Sequence, residues 1–127
     1  MSVKIKAVKR INPLDLAQPA KYYATAITDG ETDLEALAED ISLQCTVTET
    51  DCLAVLAALE RNVIKQLRNG KHVKLGRLGS FKVSVSAQGQ DNEEDVVASD
   101  VTKNRVLFQP GKRIREMLKL LTYQKVA

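Results

Sequence analysis

The fourteen residues Val73–Ser86, VKLGRLGSFKVSVS, read as two short alternating strands broken by glycines at 76 and 79, with basic side chains set between the apolar ones. Glycine supplies the backbone freedom that a tight corner needs, so the chain is expected to bend there. Just upstream, Thr48-Glu49-Thr50-Asp51 has the form of a helix N-cap. Cys52, Val55, Leu56, Leu59, Val63 and Leu67 follow on one broad apolar face, and Asn69-Gly70 stops the helix with a left-handed cap. Further back, the capping box Thr32-Asp33-Leu34-Glu35 opens a shorter amphipathic helix through Leu34, Leu37, Ala38 and Ile41. Two capped helices with a short connection predict a helical hairpin.

Downstream, Ala87–Asn104 has weak periodicity and carries Asp91, Glu93, Glu94 and Asp95, after which Arg105-Val106-Leu107-Phe108 resumes strand character. Pro110 suits the first turn of a last helix. In that helix Ile114, Met117, Leu118 and Leu121 share an apolar face, and Lys112, Arg113, Arg115 and Lys119 lie largely on its other faces. The expected order after residue 30 is helix, helix, strand, strand, long excursion, strand, helix. At the other end, residues 3–11 alternate as a strand, Asn12-Pro13 and Gln18-Pro19 punctuate a loop, and Tyr22–Thr28 reads as a second strand. Residues 1–30 are therefore read as an extension of strands, residues 31–127 as the main domain, and about 84–104 as an arm.

At 127 residues and 14.0 kDa the chain has the size of one domain. No apolar run is long enough to span a bilayer, and the basic residues interleaved through Met1–Arg10 do not form the apolar core of a signal peptide. A cytoplasmic protein is expected. Cys45 and Cys52 make neither a disulfide framework nor a zinc site, and the single histidine, His72, reads as a surface residue at the start of a strand. With no metal constellation and no histidine-paired nucleophile, neither enzyme activity nor a cofactor is expected.

The net charge of +3 hides blocks of one sign. Residues 29–60 carry nine acids and no base, 61–82 seven bases and no acid, 83–100 five acids and no base, and 101–127 seven bases against Glu116. Such segregation predicts a dipolar surface. A single basic block is most simply a solvated face, whereas two that meet in space make a surface for an anion.

The helical hairpin, "VKLGRLGSFKV", the extended arm, the returning strand and "FQPGKRIREML" resemble the bacterial histone-like HU and IHF family of dimeric DNA-bending proteins, in its long variants with an N-terminal extension (HU-HIG-like). The resemblance covers roughly residues 30–122. It implies an α+β fold: a helical hairpin, a three-stranded antiparallel sheet with an extended β-ribbon arm, and a C-terminal helix, with the N-terminal strands added. It also implies a histone-like, nucleoid-associated dimer, a homodimer in the simplest case, that organises double-stranded DNA through backbone phosphates and bends it. Ser80 matches a phosphate-contacting position at the corner, and Lys112 another at the start of the last helix, where the helix dipole also favours an anion. Arg77, Lys82, Lys103, Arg105 and Arg113 complete the expected DNA-binding set, with Lys82, Lys103 and Arg105 gathered at the ribbon base. Phe81 and Phe108 are expected in the core.

The arm departs from the family pattern. Its tip usually carries a proline that wedges between base steps; here it has no proline, and Asp91-Asn92-Glu93-Glu94-Asp95 should repel phosphates. A solvated, disordered tip is the simpler expectation; the alternative is that Val96 or Val97 acts as an apolar wedge. The apolar face of the second helix calls for a two-fold partner or for cover by the N-terminal strands. The alternative function is an HU-like dimeric scaffold whose acidic arm or N-terminal extension docks a protein. Arg61, Lys65 and Arg68 fit the solvent face of the second helix better than an extension of the DNA surface.

Overall fold

The computed structural model describes residues 1–126. In chain order the elements are β1 (Val3–Arg10), β2 (Lys21–Ala26), α1 (Leu34–Gln44), α2 (Glu49–Arg68), β3 (Val73–Lys74), β4 (Gly79–Ala87), β5 (Val101–Pro110), α3 (Lys112–Lys119) and β6 (Tyr123–Lys125). They divide into two units: Leu34–Glu116, and Met1–Asp33 together with the chain from Met117 onward.

In the larger unit α1 and α2 form the expected hairpin. α1 starts at Leu34, which places Asp33 rather than Thr32 just before its first residue. At α2 the Thr48 hydroxyl accepts from the Asp51 amide at 3.2 Å, satisfying a backbone donor that the helix itself leaves free. The helix ends in a Schellman motif: the Gly70 amide donates to Leu67 O and the Lys71 amide to Gln66 O, both at 3.0 Å, with Gly70 at φ +78°. The two buried apolar side chains are small, Ala38 on α1 and Cys52 on α2. Both thiols are free.

β3, β4 and β5 form an antiparallel sheet in that order. The β3–β4 corner is closed by Leu78 N to Leu75 O at 3.2 Å and Leu75 N to Gly79 O at 2.8 Å, with Gly76 at φ +57° and Gly79 at φ +151°. Gly79 has no room for a side chain, because a Cβ there would stand 2.5 Å from Gln109 O and 2.6 Å from the Phe108 ring, whereas one on Gly76 would meet nothing. Gly79→Ala should therefore cost about 3 kcal/mol or more, from strain and overpacking together. Gly76→Ala should cost only the left-handed penalty of about 1–2 kcal/mol. Urea midpoints measure both, and equal losses would contradict the geometry.

The excursion between β4 and β5 is not a disordered loop. The two strands pair from Gly79↔Pro110 out to Ala87↔Val101, with a bulge at Ser86/Ala87, and the tip folds into single 3-10 turns at Glu93–Asp95 and Ala98–Asp100. Asp100, 8% exposed, organises it: one carboxylate oxygen accepts from the Val97 amide at 2.9 Å and the other from Gln90 Nε2 at 3.0 Å. Pro110 closes β5 instead of opening a helical turn, and α3 begins at Lys112 after Gly111.

The smaller unit is a three-stranded sheet ordered β2-β1-β6. β1 and β2 are antiparallel, as the flanking turn residues imply, while β6 adds a parallel edge with Val3 opposite Tyr123. Among the described residues no helix is long and apolar enough to cross a membrane.

Candidate functional site

Strand alternation sorts the ribbon into two faces. Ser80, Lys82, Ser84 and Ser86 on β4 stand opposite Gln109, Leu107, Arg105 and Lys103 on β5, so apart from Leu107 one face is hydroxyls, an amide and cations. Lys74 of β3 joins it opposite Ser80. The other face carries Phe81, Val83 and Val85 against Phe108, Val106 and Asn104, and the two phenylalanine rings lie 5.0 Å apart. Arg105 Nη1 donates to Ser86 Oγ at 3.3 Å, which steadies the guanidinium diagonally across the ribbon.

A second group of cations gathers where the corner meets α3. The Gly111 amide donates to Leu78 O at 2.8 Å. A Cβ on Gly111 would collide with the Arg77 carbonyl, so glycine permits this approach. Arg77 is thereby placed beside Lys112 and Arg113, and with Glu116 they line a depression of about 260 Å³. A second depression of about 290 Å³ is lined by Lys74, Gly76, Gly79, Ser80, Gly111 and Arg115 among others. The first turn of α3 holds Lys112 and Arg113 and no acid, an arrangement the helix dipole disfavours unless an anion sits nearby.

None of Arg77, Lys82, Lys103, Arg105, Lys112 or Arg113 forms an ion pair with another described residue, the ion pair found being Lys4–Asp29. The seven expected residues thus fall into a corner group, Arg77, Ser80, Lys112 and Arg113, and a ribbon group, Lys82, Arg105 and Lys103. Lys103 does not lie at the ribbon base. β5 runs inward from the tip, so its early residues are distal, and Lys103, opposite Ser86, stands six residues from the Ser80 pair, about 20 Å away. Lys74 and Arg115 were missed. Lys74 sits in a two-residue strand too short to show a period, and Arg115 is legible only as the residue one turn beyond Lys112.

A helical hairpin, a three-stranded meander with its last two strands drawn out as a ribbon, and a helix docked at the glycine corner define the HU-type architecture. The chain belongs to the HU-HIG family, described as an HU domain fused to wHTH, Ig, or glycine-rich motif, whose model matches residues 1–125. Among solved structures it is similar to a Bacteroides vulgatus protein assigned to DNA binding, with TM-score 0.66 and 18% identity over 98% of this chain. This chain spans about half, 48%, of that protein's length. It is also similar to HU from Anabaena in a cocrystal with DNA, with TM-score 0.54 and 23% identity over 68% of this chain and 97% of that one. No curated protein matches the sequence significantly.

Proposed function

We propose that the chain is a histone-like architectural protein that binds double-stranded DNA as a homodimer, chiefly through backbone phosphates. The observation that carries this is the sorted ribbon: Ser80, Lys82, Arg105 and Lys103 on one face, its cations free of ion pairs, with Arg77, Lys112 and Arg113, also free of ion pairs, at the corner. Cations free of ion pairs, without converging base-reading side chains, favour phosphate contact over sequence readout. The DNA bound by the Anabaena HU structure supports the same partner.

What one chain leaves uncovered supports the dimer. The described chain exposes 11066 Å², against roughly 8,000 Å² for two separate compact bodies of these sizes and about 6,700 Å² for one. The exposed surface includes large apolar residues: Val83, Val85, Val106 and Phe108 on the ribbon are each 46–55% exposed, and Leu56, Leu59, Val63 and Phe81 line an open apolar groove of about 280 Å³. An obligate two-fold interface of about 2,000–5,000 Å² has the size to cover them. At the arm tip Val96 and Val97 are 59% and 54% exposed. They are the apolar groups available to press on a base step, and any bend is modest beside an acidic tip.

The test is titration of a labelled duplex at several salt concentrations, with the solution mass measured in parallel. A dimer with six to eight phosphate contacts should lose about a thousandfold or more in affinity between 50 and 200 mM salt. A dimer that ignores duplex at low salt would overturn DNA binding and leave a dimeric scaffold for a protein partner.

A further inference from the structure

The N-terminal unit is built around cations that the ribbon does not use. On β1 the alternation puts Lys4, Lys6, Val8 and Arg10 on one face, joined across the pairing by Thr25, Tyr23 and Lys21. Lys4 is taken by Asp29 at 2.9 Å. Lys6, Arg10 and Lys21 have no acidic partner among the described residues. Arg10 and Lys21 stand directly opposite each other in register, a like-charge pair that destabilises a sheet unless something negative lies between or beside the charges.

A cavity of about 410 Å³ opens at that pair, lined by Arg10, Asn12, Gln18, Lys21 and Tyr23 with Ile11 and Pro19. Its walls are set in place. Arg10 lies over the Tyr23 ring at 5.9 Å from the centroid, which limits where the guanidinium can go. The β1–β2 loop is held by two consecutive side-chain turns, Leu14 N to Asn12 Oδ1 and Ala17 N to Asp15 Oδ1, both 3.0 Å. Asn12 Nδ2 donates to Gln18 Oε1 at 3.3 Å, so the Gln18 carbonyl oxygen is occupied and its amide hydrogens remain to donate. Two cations and a carboxamide donor around one opening are the groups that bind a tetrahedral oxyanion, the guanidinium by two parallel bonds.

We infer that the Arg10–Lys21 cavity is a second phosphodiester-binding site, through which the N-terminal sheet holds the DNA backbone independently of the ribbon. Lys6 stands four residues back along the same face, about 13 Å away, too far to share one phosphate and suited to another on the same backbone. This assignment rests on the reading that the partner is a DNA duplex.

The test uses the full chain carrying Arg10→Gln and Lys21→Gln together, titrated with a labelled duplex across a salt series, beside the charge-conserving Arg10→Lys/Lys21→Arg chain. The neutral pair should lower affinity tenfold or more and reduce the magnitude of the log–log salt slope by about 0.9 per protomer, roughly two across a dimer, for the one phosphate each site no longer neutralises. The charge-conserving pair should keep most of the slope. In NMR titrations of the wild type, the Gln18 side-chain amide and the Tyr23 ring should shift with a duplex. An unchanged slope in the neutral pair overturns the site, and shifts with inorganic phosphate but not with duplex overturn the DNA backbone as its ligand. Duplex binding that survives loss of Lys82, Arg105 and Lys112 but not of Arg10 and Lys21 would instead overturn the ribbon reading and keep this one. A wild-type chain that binds no duplex at low salt overturns both.

Discussion

Replacing Lys82, Arg105 and Lys112 together by glutamine should weaken duplex binding by a hundredfold or more near physiological salt and flatten its salt dependence. Each cation that neutralises a phosphate releases counterions and contributes about 0.9 to the log–log slope, so neutralising six cations across a dimer takes away roughly five units. The three side chains sample the proposed surface at separate places: Lys82 near the ribbon base, Arg105 further out along it, and Lys112 at the start of α3. None is tied up in an ion pair, so removing them strands no buried partner and should leave the fold intact. The weakening should be nearly the same on unrelated sequences, since phosphate contacts position a protein without reading bases. Affinity measured by anisotropy on two duplexes of different composition checks both statements. A weakening confined to one duplex would mean that these residues reach base edges, and none at all would move the interface off this face.

The hairpin and the glycine corner were legible because their causes are local. A threonine hydroxyl three residues from an amide, an Asn-Gly stop and two glycines with apolar residues between them each act within a few positions, and α2, its Schellman end and the corner follow the sequence closely. What escaped depends on distant partners. β6 is three residues long and acquires its identity by pairing parallel to β1 more than a hundred residues away; no periodicity exists in three residues. The arm tip escaped for another reason. Asp100 counts as one more repulsive charge in the sequence, yet its two oxygens are acceptors for Val97 and Gln90 and set the final turn. Lys103 was misplaced along the arm because the distance of a β5 residue from the body depends on where the hairpin reverses, and Ala87–Asn104 has no turn signature strong enough to fix that point.

Leu59→Glu should abolish the dimer and with it the folded state of the larger unit. In one chain Leu59 is 44% exposed and lines the open groove between α2 and the sheet; if the chain functioned alone, a carboxylate there would remain in water and cost little. If a two-fold partner closes the groove, each dimer buries two such charges without a counter-ion, at several kcal/mol each. Even about 4 kcal/mol in all is roughly a thousandfold in dimer affinity, and the apolar residues left bare give a lone chain little core to fall back on. The wild type supplies the complementary measurement. When folding and association are one transition, the melting temperature rises with protein concentration. Sedimentation of both proteins, with melts over a hundredfold concentration range, separates the cases. The expected result is a wild-type dimer whose melting temperature climbs with concentration and a Leu59→Glu chain without a cooperative melt. A 14.0 kDa wild-type species melting at one temperature throughout would mean that the exposed valines and Phe108 serve something other than a second copy, and would remove the dimeric geometry on which the proposed DNA surface depends.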